Sequence, residues 1–363
     1  MSIYNVGFNG DVRLLADFNS SQVEGLEHGT SIGSLYWSTT FNPIGSARPI
    51  ERLPKIEREE FFEICKQVHE AGYKVNLTAN AFCLGSLKQW GTMERLFVRF
   101  LNSLNGFVDI ITIAHPLIAE TIVKHHIPIA VEISTILNCD SVSHFTFWKR
   151  TLGERLVRVC LPITKNRDFK FLRALVKTKH NDIAELIVNE FCTVGRAPCH
   201  GIYRDSCYMG HSHNDWMVAE NYPMSRCMAA RWSQPSSWIK APFILPQWIQ
   251  SYEDEGISHF KITGRTHESE FIRKIVFGYM HRIWTGNLLD LWAQLETIYG
   301  QIQEEVISSH GLYLSASAIA SSGILDKWRG TVDNFSGNPH SCSTEDCGLT
   351  CRICDNLFET LSD

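Results

Sequence analysis

Short apolar runs rich in β-branched and aromatic residues alternate along this chain with longer stretches whose apolar positions recur at helical spacing. The short runs predict strands over Ile3–Phe8, Ile32–Trp37, Val75–Asn80, Val108–Ile113, Pro128–Ile133, Leu156–Leu161, Ile183–Val188 and His259–Ile262. Between them the periodicity predicts helices over Val12–Leu26, Glu57–Ala71, Met93–Leu104, Pro116–His125, Ser141–Thr151, Phe169–Lys177 and Pro246–Glu255. Another, over Glu268–Thr285, follows the last strand. The pattern is cleanest in Glu57–Ala71, where Phe61, Phe62, Ile64, Cys65 and Val68 share one face and Gly72 follows as a helix-ending residue. Eight strands with intervening helices and right-handed crossovers predict an α/β protein of the (β/α)8 TIM-like barrel class, with a doubly wound sheet as the fallback.

Two stretches break the rhythm of short connections. One is Ser38–Lys55, with Pro43, Gly45, Pro49 and Pro54, and the other is Glu190–Ala241, before the helix that precedes the eighth strand. Long loops of this kind are commonly functional, and barrels carry their chemistry on the loops that leave the strands. The second stretch holds Cys192, Cys199, Cys207, His211, His213 and Cys227, and its first thiol sits where the seventh strand should emerge. After Leu295 the pattern loosens, and Ser315–Ser322 is a run of small residues. The end of the chain then carries Cys342, Cys347, Cys351 and Cys354 with four, three and two residues intervening. The expected organisation is a barrel over 1–300, including the cysteine-bearing insertion 190–241 after strand 7, and a cysteine-rich extension over 301–363.

Composition narrows the classes. With 363 residues, 44% apolar and 20% charged, the chain can bury a large core. A net charge of -5 gives no footprint for non-specific nucleic-acid binding, although a local basic groove for RNA is left open. The start, Met1-Ser2-Ile3-Tyr4-Asn5, has no charged and apolar leader, and no run is long enough to span a membrane, so the expectation is a cytoplasmic protein. Its 12 cysteines should then be thiols or metal ligands rather than disulfides. Cys65, Cys83, Cys139 and Cys160, in apolar surroundings, read as core residues.

The tail set, four thiols in close succession, is the donor set of structural zinc or of a [4Fe-4S] cluster, and spacing alone does not choose between them. Cys192, Cys199 and Cys227 would need a fourth ligand, either Cys207 or a thiol of the tail. Polar residues fall where strands should end, at Asn80, His115, Glu132, Glu190, Lys261 and Arg265, and in a barrel these converge on one mouth. Lys261 and Arg265, either side of Gly264, suit an anionic substrate, with a rim salt bridge as the plain alternative. Glu132 interrupts an apolar run and needs either a partner or a ligand. His115 precedes Pro116 and reads first as a helix-start residue. Three pattern matches fail on context. Gly29-Thr30-Ser31-Ile32-Gly33 enters a strand instead of leaving one, Cys347, Cys351 and Cys354 lie at the wrong end of the chain for a radical enzyme, and no H-E-x-x-H is present.

Several blocks together resemble the peptidase U32 family of (β/α)8 proteins. They are Gly45-Ser46-Ala47-Arg48-Pro49 with Leu53-Pro54, Asn80-Ala81-Phe82-Cys83-Leu84-Gly85, the Cys192–Cys227 region, Ser251-Tyr252-Glu253 with Gly256-Ile257, Phe260-Lys261-Ile262-Thr263-Gly264-Arg265, and Gly286-Asn287-Leu288-Leu289-Asp290-Leu291. The resemblance implies one [4Fe-4S] cluster or two, with Cys192, Cys199 and Cys227 as ligands and a fourth from the tail, and zinc as the alternative at the C-terminal cysteines. It also implies an oxygen-independent, hydroxylation-like redox modification of a small molecule, a peptide or RNA. In that reading Lys261 and Arg265 hold an anionic small-molecule or peptide substrate, Glu132 or His115 moves a proton, and an electron donor or heteromeric partner chain takes part. The alternatives are a U32-type protease and a non-catalytic, cluster-bearing partner subunit.

Overall fold

The structure, a computed structural model, describes residues 1–25, 29–48, 50, 53–84, 90–193, 226–292, 312–329, 333–334, 338–339, 342, 347 and 351–362. Eight strands alternate with helices along the chain. In order come β1 (Ser2–Gly7), α1 (Leu14–Gly25), β2 (Thr30–Trp37), α2 (Arg58–Glu70), β3 (Lys74–Ala79), α3 (Trp90–Ser103), β4 (Ile110–Ile113) and α4 (Pro116–Lys124). After these follow β5 (Ala130–Ile133), α5 (Val142–Leu152), β6 (Leu156–Cys160), α6 (Phe169–Lys177), β7 (Ala184–Ile187) and β8 (His259–Ile262). The strands form one closed barrel in sequence order, every neighbouring pair parallel, with β1 beside β8. The predicted barrel is therefore the observed one, with strand ends differing from expectation by a residue or two.

Alternation along each strand divides the side chains between two environments. Val75, Leu77 and Ala79 of β3 join the core formed with Phe61, Ile64, Cys65 and Val68 of α2, the face that the helical spacing picked out. Each such fully buried aliphatic side chain contributes roughly 1.5–3 kcal/mol. Gly72, with φ +89°, supplies the left-handed turn after α2. Asp168 caps α6 by accepting from Phe171 N at 3.0 Å, and Pro116 opens α4 behind its cap, His115. The helix Ser269–Met280 packs on α1 and completes the outer ring.

Between β7 and β8, and past the barrel, the sequence pattern said less, and the structure adds order there. Residues 226–233 are helical, and Ser237–Lys240 forms a short turn of helix. The small-residue run contains the helix Ala316–Ser321, capped by Ser315, and the next helix, Ile324–Arg329, buries Ile324, Leu325 and Trp328. The expected helix Pro246–Glu255 resolves into a 3-10 turn, Pro246–Trp248, and the helix Ile249–Asp254. A last helix, Ile353–Ser362, docks on Ser237–Lys240, where Lys240 pairs with Asp355 at 2.7 Å and Ser236 donates to the same carboxylate. The segment it meets continues past the end of β7, where Ile244 N donates to Val188 O at 2.8 Å. The tail thus sits on the side where the strands end. No helix among the described residues is long and apolar enough to cross a membrane.

Candidate active site at the barrel mouth

Whereas barrel interiors are usually filled by branched aliphatic residues, this one is filled by charge. Asn5 of β1, Ser34 of β2, Asn76 of β3, Thr112 of β4, Glu132 of β5, Arg158 of β6, Glu185 of β7 and Lys261 of β8 form one connected network. Glu132 accepts from Lys261 Nζ on one oxygen and from Asn76 Nδ2 at 2.8 Å on the other, while Thr112 donates to Asn76 Oδ1 at 2.8 Å. Glu185 accepts from Asn5 Nδ2, and Lys261 Nζ stands 3.6 Å from its second oxygen. Arg158 Nε lies 3.8 Å from both carboxylates, and its Nη1 is 3.1 Å from His259 Nδ1. Both glutamates are wholly buried, and the two carboxylates face two cations.

The arrangement sets their protonation. Burial pulls the Glu132 carboxyl up, but Lys261 and Arg158 more than offset it, and its pKa falls below the ordinary carboxylate value. Burial likewise opposes the charge of Lys261, yet Glu132 and Glu185 hold it well above the usual lysine range. Glu185 goes the other way, raised by burial and by the neighbouring Glu132. Burial, then Arg158, push His259 down to about 4, so it is neutral. Cys160, expected among apolar neighbours, touches Ile163 and Ile187 but also faces this network, and burial followed by Glu185 raises its thiol.

Above the network, at the C-terminal ends of the strands, the balance changes. Asn80 Oδ1 accepts from Ala47 N at 3.0 Å and its Nδ2 donates to Ser134 at 3.1 Å, which ties the loop after β2 to the mouth and sets Arg48 there. Asn189 clamps the ends of β7 and β8, accepting from Thr263 N at 2.7 Å and donating to Thr263 O at 3.0 Å. Gly264, at φ +146°, then turns the chain so that Arg265 lies against the Tyr36 ring, 5.8 Å from its centroid. Gly7 makes room for that turn, because a Cβ there would meet Arg265 N at 2.8 Å. Burial, then the like charge of Arg48, lower the Arg265 guanidinium to about 10. Among the described residues its Nε has no hydrogen-bond partner, and neither Arg48 nor Arg265 has a carboxylate partner. Tyr36, under both Lys261 and Arg265, has its hydroxyl pushed up to about 12 by burial.

The expected site residues therefore divide. Glu132 and Lys261 come together as partners inside the barrel, with Arg265 above them at the mouth. His115 stands on the rim as the cap of α4, its Nδ1 accepting from Leu117 N at 3.2 Å, and burial lowers its pKa. Glu190 bonds back to its own chain, accepting from Phe191 N and Cys192 N at 2.9 and 3.0 Å. It borders a small cleft, with little more room than a water molecule, together with Asn189, Thr263, His267 and Trp292. Sequence reasoning passed over Arg48, Arg158 and Glu185. The last two break apolar strands as Glu132 does, and that same signal, read at strand centres as well as strand ends, would have found them.

The thiols fall into two places. Cys192 packs beside Cys160, Ile163 and Ile187 at the end of β7. The helical residues 226–233, which carry Cys227, are drawn to the same strand end by Arg231, whose guanidinium donates to Phe191 O and stacks on Phe191 and Trp238. Cys199, Cys207, His211 and His213 lie outside the described residues. In the tail, Cys347 and Cys351 are joined by a backbone bridge, and Cys342 N donates to Trp328 O at 3.1 Å. Burial first, and then Cys342, Cys347 and Cys351, push the Cys354 thiol up to about 12, with Arg167 acting against them. Among the described residues no three His, Cys, Asp or Glu side chains stand in ligating positions.

A closed parallel barrel with a charged interior and a cationic mouth defines the class, a (β/α)8 protein. Residues 46–163, from the loop that carries Arg48 to the turn after β6, match the sequence profile of the family described as Peptidase family U32. It is similar to a protein of Methanocaldococcus jannaschii described as an uncharacterized protease, with 24% identity over 243 residues, 64% of this chain and 69% of that one. A solved structure described as a U32 peptidase aligns over 58% of this chain and 78% of its own, with a TM-score of 0.40 at 14% identity.

Proposed function

We propose that this protein is a barrel enzyme acting on an anionic substrate, which Arg48 and Arg265 hold at the mouth. The observation that carries this reading is a pair of neighbouring guanidiniums, one of them buried, that repel one another and have no carboxylate partner among the described residues. Protein folds rarely keep such charges together without a ligand, and guanidiniums match the geometry of carboxylates and phosphates. In this reading Tyr36 floors the site and Asn80, Ser134, Asn189 and Thr263 fix its polar rim. Lys261, held charged by Glu132 and Glu185, attracts the substrate from below. Glu185, which retains a proton more readily than an ordinary carboxyl, is the group best suited to give one up when the network is perturbed.

The reaction we infer is an oxygen-independent redox modification. Cys192 and Cys227 are carried by elements that meet at the end of β7, and in this reading they would be two of the thiolates that hold a thiophilic metal centre. Such a centre would supply electrons beside the mouth. The remaining work belongs to the protein's side chains, which bind the anion, orient it over Tyr36 and keep charge fixed beneath it.

The relative's description as a protease favours a second reading, in which the anion is a peptide carboxylate. Against it, the mouth hydroxyls Ser38, Ser134 and Thr263 bond to Thr78, Asn80 and Asn189, and not to a histidine or carboxylate among the described residues. Thermal shift with inorganic phosphate and with small dicarboxylates tests the main reading. The wild-type protein should be stabilised by at least one of them and Arg48→Met/Arg265→Met by none. Equal shifts in both proteins would refute the assignment of the mouth. Hydrolysis of casein by the purified chain would favour the protease.

A further inference from the structure

Arg48 and Arg265, on the reading proposed above, hold only the charged end of a ligand. The walls around them determine what else it carries. Resting on that reading, we propose that the substrate is an amphiphilic carboxylate whose uncharged, apolar body lies across the mouth over β4, β5, β6 and β7. Successive inward positions of a strand are two residues apart, so the layer above the charged network follows directly from it. On β1, β2 and β8 that layer has Gly7, Tyr36 and Thr263, and Arg265 lies against the Tyr36 ring. Across the closed barrel, β4 to β7 place Ala114, Ser134, Cys160 and Ile187 there. None of these four side chains carries a charge. All but Ile187 are short, although barrels commonly fill such layers with bulky branched residues, and short side chains do not reach across the axis.

Two apolar groups back this half of the mouth. Ala114 packs with Ala47, Ile136 and the half-buried Phe82, and Cys160 packs with Ile163 and Ile187. Neither group belongs to the main core packed between the strands and the helices. Ala47 joins the two ends of the site, because it precedes Arg48, whose Nη1 donates to Ala47 O at 3.0 Å. An apolar wall thus begins beside one guanidinium and runs away from it. The polar atoms of this half are already engaged or neutral. Ser134 accepts from Asn80 at 3.1 Å and from Ile136 N at 3.4 Å, and burial keeps the Cys160 thiol protonated. A second charge placed here would lose its water and gain no partner, whereas an apolar group gains by leaving water. The charged end fits a carboxylate. The Arg265 Nε edge, unpartnered among the described residues, presents the fork that a planar carboxylate fills with two parallel bonds.

The test titrates the full chain with acetate, butyrate and hexanoate, following ligand-induced thermal shifts, with phosphate as an anion lacking an apolar body and hexanol as a chain lacking charge. Each methylene taken up by the wall should tighten binding roughly fourfold, so hexanoate should bind about a hundredfold more tightly than acetate. Hexanol should bind far more weakly than hexanoate. Ala114→Leu, which fills the wall, should weaken hexanoate roughly tenfold and leave acetate and phosphate as they were. Should that variant not fold, the series on the wild-type protein decides alone. Equal affinity along the series, or hexanol bound as well as hexanoate, would overturn the amphiphilic substrate, and in the first case the arginine reading stands. Hexanoate bound equally well by Arg48→Met/Arg265→Met would instead overturn the arginines as its partners, and no binding of any carboxylate or of phosphate would remove both.

Discussion

Inside the barrel and at its mouth, cations meet opposite fates. Lys261 and Arg158 sit among Glu132 and Glu185, to which Asn76 and Asn5 also donate, whereas Arg48 acts on Arg265 as a like charge and neither has a carboxylate among the described residues. The pKa directions record the contrast, since the lysine is raised by its partners and the arginine is lowered by burial and its like-charged neighbour. A compensated buried charge belongs to the scaffold. An uncompensated one at a barrel's strand ends is what the proposed anion site rests on.

Removing one partner inside should therefore have the largest effect. Lys261→Met leaves two carboxylates without their ammonium and should cost about 3–5 kcal/mol in urea unfolding, with part of the loss recovered in Lys261→Met/Glu132→Gln. If the single variant is as stable as wild type, the network is not what holds the interior. At the mouth the sign should differ. Arg265→Leu should unfold at an unchanged or higher urea midpoint, yet bind phosphate or a dicarboxylate more weakly by roughly 1.5–3 kcal/mol in calorimetric titration. A destabilised variant would show that Arg265 is structural and that the contrast is false.

Gly7→Ala probes the boundary between the two regions. Its methyl would press on Arg265 N, so a loss of about 1–2 kcal/mol in stability, together with weaker anion binding, is expected from the two measurements just named. Stability against pH sharpens the interior half. Glu132, with its depressed pKa, contributes stability above the ordinary value of 4.5 that is lost as pH falls through its folded value. Glu185, with a raised pKa, contributes stability that is complete below 4.5 and is lost as pH rises through its folded value. Glu185→Gln should accordingly remove a decline on the rising side, seen in urea midpoints measured from pH 4 to pH 8. The smallest effect is expected at His115→Ala, roughly 0.5–1 kcal/mol from a lost helix cap, with anion binding untouched.

The barrel was legible because its outward-facing strand positions and its helix faces obey two simple periods, as Val75, Leu77 and Ala79 show against α2. The interior was only half legible. Glu132 stood out near a strand end, but its partners lie on β3, β6 and β8, and pairing across a barrel leaves no trace in local sequence. Arg48 lies in a proline-rich loop whose path is set by Asn80, 32 residues further on, so nothing near it announces a place at the mouth. The helices Ala316–Ser321 and Ile353–Ser362 were missed for another reason. The first is a short run of small residues with no stripe to read, and the second, although Ile353, Leu357, Phe358 and Leu361 share a face, follows a cysteine-rich stretch that drew attention to its thiols instead.

Lys261 lies on the strand that is made last. As the chain leaves the ribosome, Glu132 emerges first and Glu185 some fifty residues later, and their ammonium partner follows only after 76 further residues. Until then a partial barrel of seven strands has two acidic side chains and one arginine to enclose, and water remains their best solvent. Closure of β8 against β1 and β7 is thus the moment at which the interior becomes neutral, and the electrostatics of this molecule discourage it from compacting before its final strand arrives.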